Sequence, residues 1–284
     1  MAMKKISIIT PLYNGKIFEK DIIDNARELY STVKKKGYTV ELICVNDNPK
    51  DSYHFKVPEE LEFKLIQNEK NQGIQKSRVN GLLNATGEYI VFLDQDDKII
   101  SENFVNQLNK VDHADVVIGN LYKDINKKKK ILYKRGKGFS NLFSEQMLLY
   151  CVNTIISPGQ CLIRRKSIPS AWCTNIMKKN GADDLLLWLL LYENGAIFAT
   201  NDTPVYYHRT TEIGNLSSDD KKMFDSEQEM IDILTKYHYS QNKIEILQSS
   251  FELNHNKSLH VLWKYRHYLL RRGALKISLL LERT

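Results

Sequence analysis

The chain has 284 residues, 42% of them hydrophobic and 26% charged, with a formal net charge of +7. Those proportions exclude global disorder, and no apolar run approaches the roughly 18 residues of a membrane helix. The longest, Leu185 to Tyr192, has only eight.

The length suits one large α/β domain with an appendage. The N-terminus reads directly into a strand (Lys4-Lys5-Ile6-Ser7-Ile8-Ile9) with no basic-then-apolar leader. Good helix formers run from about Ile17 to Lys36, with Gly37 as the stop. Strand Ile6–Thr10 thus precedes a helix. Val40–Val45 is a second apolar strand and Glu62–Ile66 a shorter third. Ile74–Asn84 is expected to be helical, with Ile74, Val79, Leu82 and Leu83 mainly on one side. Residues 89–93 (Tyr-Ile-Val-Phe-Leu) are too few for a helix and read as a central strand. A helix near Glu102–Lys110 and a strand Asp115–Ile118 follow. Strands alternating with helices imply a parallel sheet with right-handed crossovers.

After Gly119 the pattern changes. Leu121–Lys123 and Ile131–Tyr133 flank a polar Asn-Lys turn and read as a hairpin on the sheet edge. Phe143–Val152 and Asp183–Tyr192 are helical candidates, separated by loops containing Pro158-Gly159 and Pro169. Ile197–Ala199 and Val205–Tyr207 are short strands. From about Leu216 the reading is mostly helical, including Lys222–Tyr237, Asn242–Leu253 and Ser258–Leu281. Four cysteines (Cys44, Cys151, Cys161, Cys173) without C-x-x-C spacing suggest reduced, buried thiols in a cytoplasmic protein.

The positive charge is uneven. One block is Lys127-Lys128-Lys129-Lys130 with Lys134, Arg135 and Lys137; another is the tail, with Lys257, Lys264, Arg266, Arg271, Arg272, Lys276 and Arg283. Such blocks attract polyanions: nucleic acid, an anionic membrane surface or a phosphorylated acceptor. A solvated basic face is the alternative for each.

Chemistry concentrates at the C-terminal ends of the expected strands, where open α/β sheets place ligands. The strand at 89–93 ends in Asp94-Gln95-Asp96-Asp97, a cluster whose repulsion a cation would relieve. Oxygen donors of this kind suit Mg2+ or Mn2+ shared with a phosphate; an acidic turn capping the helix near Ser101 is the other reading. Pro11 is expected to stop the first strand, Tyr13 to offer an aromatic face, and Asn14-Gly15 to turn tightly. Asp47 ends the second strand as a candidate acceptor for a base N–H. Gly73 allows backbone approach at a helix start, and Lys76 and Arg78 are suited to phosphate. Taken singly, each is also an ordinary turn or cap.

Together these segments resemble the family 2 glycosyltransferases. Ile6-Ser7-Ile8-Ile9-Thr10-Pro11-Leu12-Tyr13-Asn14-Gly15 is similar to the family's opening strand and P-x-Y-N turn. Glu41 to Asp51 resembles the second strand and acidic turn, departing from it at Asn48-Pro49, where Gly-Ser is more usual. The longest match runs from Asn68 through Asp97. The resemblance is strong over residues 4–118 and weaker to about 217. It implies an α/β, GT-A (Rossmann-like), mostly parallel sheet flanked by helices, with a helical C-terminal extension. Expected domains are a catalytic domain at 1–215, divided into a nucleotide-sugar half (1–118) and an acceptor half (119–215), followed by helices at 216–284.

By that resemblance, Pro11, Tyr13 and Asp47 would line the uridine of a UDP-sugar, with Arg78 nearby, and Asn14 and Gly73 would also belong to the nucleotide-sugar site. Asp94 would reach ribose or metal, Asp96 would hold Mn2+ or Mg2+, and Asp97 would support the donor sugar. In Gly181-Ala182-Asp183-Asp184-Leu185-Leu186-Leu187-Trp188 the family places an acidic pair at a helix start and an aromatic about four positions on. Asp184 is the expected base and Asp183 a capping or acceptor-binding residue; stabilisation by the helix dipole is the structural alternative. His208 is a candidate metal ligand or pyrophosphate contact, or a plain surface histidine, and Arg209 a phosphate partner. The implied reaction is a metal-dependent, inverting transfer of a hexosyl or N-acetylhexosaminyl group to a glycan or lipid-diphosphate-linked acceptor, in bacterial surface polysaccharide assembly. A polyprenyl-phosphate sugar transferase is a second enzyme reading, and a basic-surface nucleic-acid-binding module a reading of another class.

The tail from His260 to Arg272 interleaves aromatics, aliphatics and cations. Helices of this composition lie on anionic membranes, which would make the protein peripheral on the inner membrane face. Packing on the catalytic domain or a homodimer contact is the alternative.

Overall fold

The apolar runs at 6–10, 40–45 and 89–93 become neighbouring central strands, buried almost throughout, while the run at 62–66 is a largely exposed edge strand. The computed structural model describes residues 3–125, 128–150, 153–209 and 220–284. Lys127, Cys151, Val152 and the segment 210–217 therefore lie outside the described residues. The strands are β1 (Lys4–Leu12), β2 (Tyr38–Asn46), β3 (Glu62–Gln67), β4 (Tyr89–Phe92), β5 (Lys98–Ile99), β6 (Val116–Ile125), β7 (Lys128–Ile131), β8 (Cys161–Arg164) and β9 (Phe198–His208). They order as β3-β2-β1-β4-β8-β6-β9-β5, with β7 on β6. All belong to a first unit made of Met1–Leu132, Ser157–Ile168 and Ala196–Thr211.

The β3-β2-β1-β4 part is parallel, as expected. The rest is mixed: β6 and β9 are parallel, while β8, β7 and β5 pair antiparallel. Strand β8 lies where the sequence suggested only loop; its four residues are too few to show a period. Residues 197–199 and 205–207, read as separate strands, join in β9, with register shifts opposite Gly119–Leu121 absorbing the extra residues. Pro11 does not stop β1, which continues to Leu12. Its missing N–H falls on the side of β1 where pairing with β4 has already ended at Ile9.

Three helices cover this sheet: α1 (Glu19–Val33), α2 (Ile74–Asn84) and α3 (Ser101–Leu108). On α1 the spacing of Ile22, Ala26, Leu29 and Val33 gives one buried face, and Gly37 ends the segment at φ +78°. Asn25 of α1 is buried and exchanges two hydrogen bonds with the Ile99 backbone, at 2.8 and 2.9 Å, which ties down β5. Glu41 on β2 is also buried and accepts from Ser7 Oγ (2.6 Å) and from the Thr86 and Gly87 backbone (2.6 and 2.9 Å). Burial alone would raise its carboxyl, but those hydrogen bonds outweigh it and hold the group below its ordinary value. Glu41 thereby fixes the turn leading into β4.

The second unit comprises Tyr133–Ile156, Pro169–Gly195 and Glu212–Thr284. Its helices are α4 (Glu145–Tyr150), α5 (Ser170–Thr174), α6 (Asp183–Glu193), α7 (Asp220–Lys236), α8 (Gln241–His255), α9 (Leu259–Lys264) and α10 (Arg266–Glu282). The helix expected over 258–281 is two helices, broken at Tyr265. Leu185 to Leu191 of α6 are all buried, so α6 is the unit's central helix and Trp188 is a core residue. The C-terminal helices take partners from 133–195, grouping the segments differently from the boundaries expected at 118/119 and 215/216. Lys243 of α8 bridges Glu145 (2.7 Å) and Glu193 (2.8 Å). Arg272 of α10 is buried and donates to Tyr150 O (2.7 Å), Ser250 Oγ (2.6 Å) and Asn254 Oδ1 (2.6 Å). The outer side of α9 and α10 leaves Trp263, Leu270, Ile277 and Leu281 exposed. Among the described residues no helix is long and apolar enough to cross a membrane. Cys44 and Cys161 are buried and Cys173 half-buried, all as free thiols.

Two predictions follow from this packing. A Cβ on Gly81 of α2 would lie 2.3 Å from Ile9 Cγ2 and 3.3 Å from Val45 Cγ2. Ile9 is β-branched and fully buried in a central strand, so it cannot move aside cheaply. Overpacking of about 1–3 kcal/mol should exceed the roughly 1 kcal/mol gained by replacing a helical glycine, and urea unfolding of Gly81→Ala should show a net loss. In the second unit, Glu227 pairs with His255 Nε2 at 3.0 Å, and burial pushes its carboxyl up to about 7 although His255 pulls the other way. The folded state thus holds a proton that the unfolded chain releases near 4.5. The stability from this proton is present below pH 4.5 and is lost as pH rises to about 7. Melting curves across that range should fall more steeply for wild type than for Glu227→Gln.

Candidate functional site

The C-terminal ends of β1, β2 and β4 carry loops that are bonded to one another chiefly through carboxylates. Asp47, after β2, is buried. Its Oδ1 accepts from Asn68 Nδ2 (2.8 Å) and Gln72 N (2.8 Å), and its Oδ2 from Gly73 N (2.9 Å). A carboxylate has about four acceptor positions, so one remains for a ligand N–H. The Gly73 N–H, by contrast, is already shared between Asp47 and Asn71 Oδ1. What Gly73 supplies is backbone freedom: it sits at φ +86°, before the first turn of α2.

Arg78 of α2 is almost wholly buried and forms an ion pair with Asp94 Oδ1 at 2.7 Å. Asp94 Oδ2 accepts from Ser157 Oγ at 3.2 Å. Both oxygens of Asp94 therefore have protein partners, and Arg78 fixes the position of its carboxylate. Removing either side would strand a charge at a cost of about 3–5 kcal/mol.

Gln95, the neutral residue among the acids, clasps the first loop. Its Oε1 accepts from Tyr13 N (3.0 Å) and its Nε2 donates to Tyr13 O (2.9 Å). The Tyr13 ring stays about half exposed. Asn14 adopts φ +52°, its N–H donates to Asp51 Oδ2 (3.0 Å), and its Oδ1 accepts from Asn48 Nδ2 (2.8 Å). Gly15 N donates to Tyr53 OH (3.0 Å). The Asn48-Pro49 departure from the family pattern thus retains a well-bonded turn. Pro11 lies at the base of the same loop, within β1.

Asp97, expected as a supporting acid near the donor sugar, has its carboxylate taken up by protein partners. It is buried, accepting from Tyr206 OH, from His208 Nδ1 (3.1 Å) and from Arg209 N (2.8 Å). Burial pushes the Asp97 carboxyl up, against the pull of His208. Burial alone would lower His208, but the bond to Asp97 overrides it and holds the imidazole above its ordinary value. With the proton on Nδ1, Nε2 is the acceptor nitrogen, the arrangement that carboxylates impose on metal-ligating histidines. Arg209 is likewise anchored: it bonds the Asp96 carbonyl through Nε, Asp21 Oδ2 of α1 at 2.8 Å, and lies over the Phe18 ring. That ion pair holds the Asp21 carboxyl below its ordinary value.

Asp94, Asp96 and His208 do not form a ready-made cage. Among the described residues no group of three or more His, Cys, Asp or Glu side chains could hold a metal ion. The donor set still fits Mg2+ or Mn2+, which bind through one or two protein groups and take their other ligands from phosphate and water. Asp96 is partly exposed at the loop tip, and His208 has an uncommitted ring nitrogen.

In the second unit, Asp183 and Asp184 open α6. Asp183 is buried, and its carbonyl accepts from Trp172 Nε1 (2.8 Å). Asp184 is half-buried; Oδ2 accepts from Asn153 Nδ2 (2.9 Å) and Oδ1 from Leu185 N (2.7 Å). Its position in the first turn favours the ionised form. Sequence reasoning missed Gln95, Ser157, Asp21, Asp51 and Asn153. Only Gln95, embedded in the acidic motif, carried a local signal.

Residues 7–171 match the sequence pattern that defines Glycosyl transferase family 2. An uncharacterized glycosyltransferase of Rickettsia typhi is 35% identical over 132 residues, which is 45% of this chain and 39% of the relative. The chain therefore spans well under half of that relative's length. Among solved structures, TarS 1–349 of S. aureus in complex with UDP-GlcNAc superposes with a TM-score of 0.62 at 19% identity, covering 98% of this chain and 82% of TarS 1–349. The mannosyltransferase PcManGT from Pyrobaculum calidifontis, in complex with GDP-Man and Mn2+, gives a TM-score of 0.54 at 15% identity, covering 96% and 74%. At such identities the superpositions establish the fold alone.

One prediction tests the carboxylate scaffold. Asp47→Asn keeps the shape but turns a donor toward the backbone N–H groups of the loop. It should cost about 2–3 kcal/mol, seen by urea unfolding, and speed amide hydrogen exchange at Gln72 and Gly73.

Proposed function

The chain belongs to glycosyl transferase family 2, and from that premise we propose that it transfers a hexosyl or N-acetylhexosaminyl group from a UDP-sugar, with inversion, to a glycan or lipid-linked acceptor. The observation that carries this reading is the interlocked set of loops after β1, β2 and β4, with an exposed aromatic (Tyr13), a remaining acceptor position on Asp47 and the partly exposed Asp96. In the proposal, Pro11, Tyr13, Asn14 and Asp47 receive the nucleoside, and Gly73 and Arg78 shape the pocket behind it. TarS in complex with UDP-GlcNAc supports a UDP donor, while PcManGT with GDP-Man makes guanosine the alternative to exclude.

Mn2+ or Mg2+, proposed to sit on Asp94, Asp96 and His208, would neutralise the diphosphate as it leaves; PcManGT with Mn2+ supports this. Asp97 then acts as a positioning residue, holding His208 in one tautomer and Arg209 beside the loop. Asp184 is proposed as the base and Asp183 as an acceptor-binding or capping residue. A carboxylate of ordinary acidity is already ionised at neutral pH, so Asp184 takes the acceptor proton as the acceptor oxygen bonds to the anomeric carbon and the bond to UDP breaks. No covalent intermediate is needed. The exposed Trp263, Leu270 and Ile277, flanked by Lys264, Arg266 and Arg271, support a peripheral membrane position for the acceptor reaction. Surface polysaccharide assembly is the role this placement favours.

The test is UDP release with a panel of UDP-sugars and GDP-mannose in Mn2+. One preferred sugar should turn over, with Asp184→Ala lowering kcat by about 10²–10⁴-fold at unchanged UDP affinity. Asp96→Ala should weaken Mn2+-dependent UDP binding in calorimetry. Absence of both UDP binding and turnover in wild type would sink the reading.

A further inference from the structure

Hairpin β6–β7 places basic side chains in a pattern that neither the proposed donor chemistry nor sheet architecture explains. Lys123 of β6 stands in register with Lys130 of β7 on one side and with His208 of β9 on the other. Residues in register share a face of the sheet. Lys128, two residues from Lys130 and opposite Ile125, lies on that face too. It is also the face of Tyr206, whose ring stacks on His208 (centroids 6.4 Å apart) and whose hydroxyl bonds Asp97. Lys128 and Lys130 therefore follow one another along β7, and Lys130, Lys123 and His208 follow one another across the sheet, all on one face.

The other face of the same hairpin is neutralised. Lys129 lies 4.4 Å from the centroids of both Tyr122 and Tyr207, and Asp124 accepts from Tyr207 OH at 2.8 Å. Asp124 is thus turned away from the three other lysines. Lys128 and Lys130 are exposed, Lys123 is half-buried, and the side chain of none of the three makes a hydrogen bond or ion pair with a described residue. Like charges directly opposite on a ladder repel, costing about 0.2–1 kcal/mol. Lysines on an edge strand deter aggregation, which accounts for Lys128 and Lys130. It does not account for Lys123, because β6 is flanked by β7 and β9.

We propose that Lys123, Lys128 and Lys130 form an anion-binding row that takes the phosphate groups of the acceptor, as either a soluble phosphodiester polymer or a lipid-linked phosphate. Cross-strand neighbours lie about 5 Å apart and i,i+2 neighbours about 7 Å apart, a spacing that serves successive phosphates rather than a single carboxylate. A neutral glycan would have no use for three uncompensated cations. This inference rests on the glycosyltransferase reading for the word acceptor, but its test does not depend on turnover.

The full chain is titrated with inorganic polyphosphate, and separately with phosphatidylglycerol vesicles. Wild type is compared with Lys128→Gln/Lys130→Gln and with a control of equal charge loss, Lys34→Gln/Lys35→Gln. UDP binding with Mn2+ is measured in all three. Polyphosphate binding should weaken about tenfold or more in the hairpin variant at low salt and stay within about twofold in the control, with UDP affinity unchanged. Selective loss of vesicle binding instead assigns the lipid-linked source. Lys130→Glu should weaken anion binding further while leaving Tm unchanged or raised, since it sets opposite charges across from each other at Lys123; this separates binding from misfolding. Equal weakening in the control, or none in the hairpin variants, overturns the proposal. So does reduced UDP affinity in the hairpin variant, which would assign the row to the donor diphosphate. Failure of the donor reading shows separately, as wild type that does not bind UDP.

Discussion

Carboxylates at the ends of apolar strands must find partners, because a buried anion without hydrogen bonds costs several kcal/mol. Around the candidate site that demand is met by loop backbone, by the side chains of Asn68, Ser157, Tyr206 and His208, and by Arg78. Asp47 gathers the loop before α2, Asp94 holds Arg78 and Ser157, and Asp97 collects Tyr206, His208 and Arg209. Each acid joins segments distant in sequence. The loops are ordered because the charges need them, and any one substitution would loosen several segments together.

Sheet topology supplies the second requirement. The parallel strands β2, β1 and β4 end at the same edge, so their loops emerge side by side. Inserting β8 antiparallel between β4 and β6 carries Ser157 to Asp94, and β9 returns His208 and Arg209 to Asp97. A wholly parallel sheet would need a long crossover for each of those deliveries. Ion pairing at Arg78–Asp94 is weak evidence for stability, since desolvation offsets much of the attraction. Its clearer effect is positional: one carboxylate is fixed in place.

Much of the first unit was legible in the amino-acid order. The apolar runs at 6–10, 40–45 and 89–93 became β1, β2 and β4, and the helix at 74–84 matched α2. The acids expected at strand ends are there. What was not legible is how they are spent. Asp97, placed by the resemblance as a supporting acid near the donor sugar, is enclosed by Tyr206, His208 and Arg209, and Gly73, expected to allow backbone approach, gives its N–H to Asp47. Trp188, the aromatic that follows the acidic pair, is core, because α6 is buried along Leu185 to Leu191 and has no polar face there to reveal its orientation. A strand as short as β8 is below the length at which a period shows.

The sequence by itself determined the alternation of strand and helix over the first 120 residues, the turn after β1 and the placing of carboxylates after β2 and β4. These are properties of short contiguous stretches: side-chain period, proline and glycine positions, and charge directly after an apolar run. Tertiary structure alone decided that Asp94 meets Ser157 across 63 residues and Asp97 meets Arg209 across 112. It decided that the C-terminal helices join residues 133–195 in the second unit, and that Lys123, Lys128 and Lys130 share one face. Such pairings depend on which strands become neighbours, and strand order comes from the packing of the whole sheet.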